Sequence, residues 1–288
     1  MDPNALRSSP LRRSARLQAV DPNRPLTSAQ SGTHVIGTVS HGSVRPPRPV
    51  ANPERFTEGM HTAALSAIAG FVEASAFLAL FGLFPAHITG ALVWASTEAA
   101  TPMAQPLLVR LTVIPTFFCA VLLAAVATRL ERRRCANPLP LLMSLMTLSL
   151  ATFCVAGVVF AGRATAEGGA AVALIGGAGV FAMGIQNAIM REALNGLCIT
   201  TMMTGNLTQL GIELVNFVFA LKDSTPANRE VALFEARQRL ARFGAPVSGF
   251  TSGAALGALC THTFGLVSIA LPTFLCAGLA LAAFRKYR

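Results

Sequence analysis

The chain has 288 residues, of which 53% are hydrophobic and only 12% are charged, and its mean hydropathy is +0.56. A soluble domain carries about a quarter charged residues, so this composition excludes an ordinary soluble protein. The formal net charge of +10 is not spread evenly, because eight of the 23 basic residues are arginines within the first 58 positions.

Residues 1–58 form an Arg-, Pro- and Ser-rich N-terminal tail with little apolar periodicity. Such a segment cannot bury enough apolar surface to fold by itself, so we predict that it is disordered. Its charge is compatible with a nucleic-acid arm, with contact to anionic lipid headgroups, or with an organelle transit peptide. Beside a membrane domain the lipid contact is favoured. We therefore expect no nucleic-acid partner and a plasma-membrane location, with an organelle membrane as the alternative.

Residues 59–288 are predicted to form an all-α, polytopic transmembrane domain. Six apolar runs have about the twenty residues that a helix needs to cross a bilayer. These runs are 62–84, 107–128, 139–161, 168–190, 240–261 and 264–284. Two further elements, 86–100 and 200–221, are shorter or more polar. A transmembrane β-barrel is excluded because the runs are continuous and do not alternate.

Basic residues predict the orientation of these elements, since loops rich in Lys and Arg stay on the cytoplasmic side. Clusters lie in the tail, at 129–134, at 222–242 and at 285–288. Eight full crossings would put the tail and the 129–134 cluster on opposite sides. With six crossings and two re-entrant or broken helices, every cluster falls on one side. We predict six spans with both termini cytoplasmic, and eight spans as the alternative.

Two stretches of the domain resemble each other, which predicts two pseudo-symmetric halves, about 60–161 and 168–285. Residues 70–92 read GFVEASAFLALFGLFPAHITGAL, and residues 184–207 read GIQNAIMREALNGLCITTMMTGNL. Each is followed by an apolar helix with an arginine and then a proline. With six spans the halves are inverted, and inverted repeats in transporters place a binding site near the bilayer midplane.

The paired motifs also resemble a known family. The first is Gly70-x-x-Glu73-Ala74 followed by Thr89-Gly90; the second is Gln186-Asn187 followed by Thr204-Gly205-Asn206. Over roughly residues 60–285 this pattern is similar to the YoaK-type family of multi-span membrane proteins, which carries a domain-of-unknown-function label. The family usually has Met-Thr-Gly-Asn where this chain has Ile88-Thr89-Gly90-Ala91, and Asp where it has Glu73. The resemblance implies an integral membrane protein without an established activity.

A polar site is predicted where the two motifs meet. An ionised group at the bilayer midplane costs at least about 2.5–3.5 kcal/mol, so Glu73 should face protein, water or a ligand. The Thr-Gly-Asn motif supplies hydroxyls and an amide, and glycine lets the chain leave helical geometry and free its carbonyls. The predicted substrate-binding residues are Glu73, Thr89, Gly90, Gln186, Asn187, Thr204, Gly205 and Asn206. The alternative is that these groups only hydrogen-bond one helix to another.

Other polar residues receive structural interpretations. Arg110 lies near a helix end and is expected to reach the interface, with a counter-charge to Glu73 as the alternative. Glu213, two turns beyond Asn206, is also expected near the interface. The stripe Gly249, Gly253 and Gly257 predicts close helix packing and a possible homo-oligomer contact.

The sequence offers no enzyme chemistry that we recognise. The six cysteines are scattered without C-x-x-C spacing, and the five histidines show no metal-binding or catalytic spacing. We therefore expect no catalytic residues, no metal and no cofactor. The predicted function is a secondary transporter or permease for a small solute or ion. The alternative is a non-transporting membrane scaffold that binds lipid or protein.

Overall fold

A computed structural model describes residues 53–100, 107–167, 169–222 and 226–287, and these ranges are predominantly helical. A short 3-10 helix, Gly265–Ile269, joins the last two α-helices. The predicted all-α class is confirmed for the described ranges. The α-helices are α1 (Pro53–Ala79), α2 (Ile88–Ala100), α3 (Leu107–Arg133), α4 (Leu139–Glu167), α5 (Gly169–Glu192), α6 (Met203–Leu221), α7 (Pro226–Phe264) and α8 (Ala270–Tyr287).

Five stretches of the described chain are long and apolar enough to cross a membrane. They are Gly59–Ala79, Thr112–Arg133, Leu139–Phe160, Gly169–Glu192 and Arg229–Tyr287. The last stretch contains α7, the 3-10 helix and α8 without a break, so two predicted spans fall within it. The multi-span membrane protein is confirmed, while the number of crossings stays a prediction. The short elements α2 and α6 are helices but are not among these stretches.

The first helix begins inside the predicted tail. α1 starts at Pro53, so residues 53–58 are helical, whereas residues 1–52 lie outside the described residues. Proline is favoured at the first helical position because its missing N–H would have no partner there. The predicted tail, residues 1–58, therefore overlaps α1 by six residues, and its disorder stays a prediction.

α1 and α7 pack against each other through small residues. A β-carbon added to any glycine of the α7 stripe would overlap an α1 carbonyl oxygen. Residue numbers increase together along the contact, so the two helices run parallel. α1 covers this glycine stripe within one chain, so the stripe is not exposed for contact with a second copy of the protein. The opposed pairs are Gly249 with Ala63, Gly253 with Ala67, and Gly257 with Phe71.

α3 and α5 form a second parallel pair. A β-carbon at Gly184 would lie 2.7 Å from Ala120 Cβ and 3.0 Å from Phe117 O. At the helix ends, Arg132 Nη2 lies 3.3 Å from Glu192 Oε2 and donates to the Glu192 carbonyl at 2.7 Å. α5 also packs on α4, which in turn packs on α8. The largest fully buried side chains lie mainly along α4 and α5 and include Phe153, Met146, Ile175 and Met183.

α6 packs on α7 and buries two of its polar residues. Asn206 and Glu213 are buried, while Leu214 and Phe219 are exposed. Glu213, expected near the interface, is 5% exposed and accepts hydrogen bonds from the Gln209 and Asn216 amides at 3.0 and 3.1 Å. An apolar outer face and a polar inner face suit a helix that meets lipid on one side and protein on the other.

Candidate functional site

Glu73 is held in the last two turns of α1 and is 3% exposed. Its Oε1 accepts a hydrogen bond from the backbone N–H of Ala86, and its Oε2 lies 2.8 Å from His87 Nδ1. α1 ends at Ala79, and the chain turns back through positive φ values of 53° at Phe81 and 78° at Gly82. The connection 80–87 therefore folds back onto the helix that precedes it.

His87 joins this buried acid to the surface, since its side chain is 49% exposed. The Phe84 ring meets the imidazole edge-on, with 5.3 Å between centroids. The hydrogen bond to Glu73 raises the pKa of His87, the negative charge of Glu73 adds to this, and partial burial opposes it. His87 was not among the predicted site residues, because histidine spacing in the sequence carries no sign of a contact with the preceding helix. We call Glu73, Ala86 and His87 the first polar cluster.

Gln186 occupies the corresponding part of α5 and is fully buried. Its Nε2 donates to the carbonyl oxygen of Leu65 on α1 and to Thr200 Oγ1, each at 2.8 Å. The amide therefore connects α5 both to α1 and to the connection 193–202.

The neighbouring Asn187 makes an equivalent contact. Its Oδ1 accepts a hydrogen bond from Thr201 Oγ1 at 2.8 Å, and its Nδ2 donates to the Met183 carbonyl at 3.0 Å. Asn206, in the first turn of α6, donates to the Ile199 carbonyl at 2.7 Å. These side chains fix the path of the connection 193–202 between α5 and α6. The second polar cluster comprises Gln186, Asn187, Thr200, Thr201 and Asn206.

The two clusters share one chain separation. Glu73 contacts His87 fourteen residues later, and Asn187 contacts Thr201 fourteen residues later. In each case a polar side chain late in a long helix holds the connection that leads to a short helix. The first contact joins an acid and a base, whereas the second joins an amide and a hydroxyl.

The Thr-Gly motifs themselves lie in regular helix. Thr89-Gly90 are the second and third residues of α2, and Thr204-Gly205 hold the same places in α6. Both threonines are exposed, and a β-carbon at Gly205 would meet nothing within 4 Å. The expected departure from helical geometry at these glycines was wrong. The chain leaves helical geometry just before them, where the buried polar groups bind it.

The predicted site residues therefore fall into two groups. Within the described residues, no hydrogen bond or ion pair joins Glu73 to Gln186, Asn187 or Asn206. Gln186 reaches α1 at Leu65, eight residues before Glu73, which is about 12 Å along a helix. One cavity shared by both groups stays a prediction, and so does Arg110 as a counter-charge, because its side chain is not among those described.

Within the described residues, two buried polar atoms lack a hydrogen-bond partner, one in the second polar cluster and one on α1. Gln186 Oε1 and Ser66 Oγ are both buried and accept or donate no hydrogen bond. Ser66 follows Leu65, whose carbonyl receives the Gln186 amide. An unpaired buried polar atom costs roughly 1–3 kcal/mol, so each of these atoms would be stabilised by a polar partner. Over the described ranges, no group of three His, Cys, Asp or Glu residues could hold a metal ion.

Comparison with known proteins gives one match. The family model described as "Protein of unknown function (DUF1275)" matches residues 61–282, the segment that contains both polar clusters. No curated protein and no solved structure matches the chain.

Proposed function

We propose that this chain, which belongs to the DUF1275 family of proteins of unknown function, is a secondary transporter or permease for a small solute or ion. Within that family we assign it to the YoaK-type proteins on its paired motifs. The substrate would contact the first and second polar clusters as the connections 80–87 and 193–202 move.

The buried Glu73 carries this proposal. An ionisable group within a membrane span is costly, and such groups commonly mark ion or substrate pathways. Fastening a connection to its helix does not require a charge, because Asn187 and Thr201 do so with neutral groups in the other half. The first half keeps an acid and an imidazole for the same contact. The charge at Glu73 therefore has a use beyond attachment.

The arrangement of helices supports a pathway between two halves. α1 of the first half packs parallel to α7 of the second, and α5 of the second half packs parallel to α3 of the first. Each half thus places its polar helix against the other half. In transporters, inverted repeats bring sites to the interface of the halves and allow one half to rock against the other.

A non-transporting scaffold is the second candidate, and the local contacts favour it. Glu73, Asn187 and Asn206 each have partners within the connection that follows, as structural hydrogen bonds would. The exposed apolar side chains of α6 offer a surface for lipid or another membrane protein.

A solute screen followed by a flux assay separates the two candidates. Purified protein is screened for solutes that raise its thermal midpoint, since a ligand that binds only the folded state stabilises it. Hits are then tested for uptake in proteoliposomes. Glu73→Gln keeps the size and hydrogen-bonding capacity of the side chain but removes its charge. We expect uptake to fall about tenfold or more, which corresponds to about 1.4 kcal/mol in the limiting step.

Glu235→Gln is the matched control, because its carboxylate is 57% exposed and pairs with Arg239 one turn away on α7. That variant should transport like the wild type, and both variants should insert and purify normally. A Glu73→Gln protein with full uptake, or the absence of any transported solute, would favour the scaffold.

A further inference from the structure

We propose that Glu73 and His87 together bind the proton that this protein couples to solute movement. The inference rests on the transport function proposed above and names its coupling ion. It assigns a role to His87, which lies outside both motifs.

The geometry links a buried acid to the surface of the protein through an imidazole. Glu73 has a side chain that is 4% exposed, and the His87 ring 2.8 Å away is 49% exposed. Imidazole is the side chain whose charge changes near neutral pH, and its two nitrogens can face different surroundings. Nδ1 contacts the carboxylate, which leaves Nε2 as the nitrogen for exchange with water.

The pair also controls a structural element. Glu73 holds the connection 80–87 by the His87 ring and by the backbone N–H of Ala86. When a proton from water binds Nε2 of the neutral ring, His87 becomes an imidazolium that donates its Nδ1–H to the carboxylate. When the same proton leaves Nε2, the attraction falls and the connection is released. One proton is taken up and one is given back in each cycle.

Within the described residues, no other charged side chain contacts the pair. The helices packed on α1 carry their charges at the far end, with Arg191 and Glu192 in the last turn of α5 and Arg285 and Lys286 in the last turn of α8. His262, in the last turn of α7, is exposed, and the 3-10 helix carries no titratable side chain. The neighbouring elements hold Glu98 on α2 and Arg110 on α3, whose side chains are not among those described.

The direction of the pH effect follows from the contact. Hydrogen bonding to Glu73 raises the pKa of His87 above its usual 6.5. A group with a raised pKa in the folded state contributes its full stability below the unfolded value and loses it as the pH rises through the folded value. The connection 80–87 is therefore held most tightly at and below pH 6.5, and it loosens at higher pH.

The test compares wild type with His87→Gln, and uses His262→Gln as the control at an exposed histidine. The first measurement is the thermal midpoint of purified, solute-free protein across about pH 6 to 9. A histidine with a raised pKa titrates within this range. The wild-type midpoint should fall as the pH rises, the control should match it, and His87→Gln should lack this component. A His87→Gln curve with the wild-type slope would overturn the proton site.

The second measurement follows lumenal pH in proteoliposomes while solute enters. Wild type and His262→Gln should acidify the lumen as solute accumulates, and His87→Gln should lose this acidification. Solute entry into wild-type vesicles without acidification would overturn coupling and leave transport intact. If no solute enters, transport fails and the midpoint curves alone decide whether the pair binds a proton.

A second variant tests the proposal if His87→Gln does not fold. Glu73→Asn combined with His87→Thr gives the first half the neutral pair that Asn187 and Thr201 form in the second half. That protein should keep the connection attached and lose the pH-dependent part of its stability. A persisting wild-type pH dependence in this variant would contradict the proposal.

Discussion

Gln186 is fully buried, and its amide joins α5 to α1 and to the connection 193–202. Only its donor side is used, because Oε1 has no partner within the described chain. The two N–H···O contacts explain why an amide is needed here. A carboxylate would have the same shape, but it could not donate to the Leu65 carbonyl.

The change Gln186→Glu tests that requirement. We expect a loss of roughly 3 kcal/mol or more of unfolding free energy, because a buried acceptor would face the Leu65 carbonyl without a hydrogen between them. Unfolding in mixed detergent measures the change. Asn195→Asp, at an exposed position in the same connection, is the control and should stay within about 0.5 kcal/mol of wild type. Equal stability of Gln186→Glu and wild type would show that the amide donors are not needed.

At the residue scale, the sequence predicted which side chains are buried better than it predicted their partners. Glu73, Gln186 and Asn206 are buried as a polar site requires. His87 was missed because a contact fourteen residues away depends on how the chain turns at Phe81 and Gly82. Neither positive φ value could be inferred from helical periodicity, and a non-glycine residue rarely adopts one.

At the element scale, α1 and α7 are close because glycine leaves room for the backbone of the facing helix. Gly253 lies opposite Ala67, and a β-carbon there would overlap the Ala67 carbonyl oxygen. The obstacle is backbone, so it cannot move aside as a flexible side chain would. The stripe was recognisable in the sequence as a packing motif, but its partner helix was not, because spacing says nothing about which helix faces it.

The change Gly253→Ala should therefore separate α1 from α7. We expect a destabilisation of about 1–3 kcal/mol, the usual cost of forcing an extra carbon into a packed contact. Gly278→Ala on α8 is the matched control, since a β-carbon there meets nothing within 4 Å. The control should be neutral or stabilised by up to about 1 kcal/mol, because alanine restricts the unfolded chain. Unfolding curves recorded side by side decide the result, and equal curves would contradict the packing argument.

The orientation of α6 could not be predicted from its hydropathy. The sequence identified a more polar helix over about 200–221, and the structure gives Met203–Leu221. Its Asn206 and Glu213 are buried, whereas Phe219 and most of its leucines and valines are exposed. In a soluble protein the apolar side of a helix faces the core, whereas in lipid the apolar side points away from the protein. Hydropathy alone therefore predicted the existence of α6 and could not predict its orientation.

At the scale of the whole molecule, helices of the two predicted halves, about 60–161 and 168–285, pack against each other within the described residues. Each half contributes a polar helix, α1 or α5, that packs on a helix of the other half. The repeat in the sequence predicted two related halves, and the long-range pairing came only from the structure. Arg132 and Glu192 join the ends of α3 and α5, and Arg242 in the middle of α7 donates to the Gly196 carbonyl of the connection 193–202 at 2.6 Å.

These contacts sharpen the topology prediction of six crossings with both termini cytoplasmic. The end of α3, the connection 193–202 and the charged first part of α7 should all lie on the cytoplasmic side, as their arginines favour. Cys135, next to the 129–134 cluster, is exposed and serves as a native reporter. Arg237→Cys reports on α7, and His262→Cys reports on the opposite end of that helix; both positions are exposed.

Each reporter is kept as the single cysteine and labelled with a membrane-impermeant maleimide in intact cells and in inverted vesicles. We expect residues 135 and 237 to react only in inverted vesicles and residue 262 only in intact cells, because about twenty apolar residues of α7 separate its two reporters. Labelling of 135 and 237 from opposite sides would contradict the six-span arrangement. Labelling of 237 and 262 from the same side would mean that the second part of α7 does not cross the bilayer.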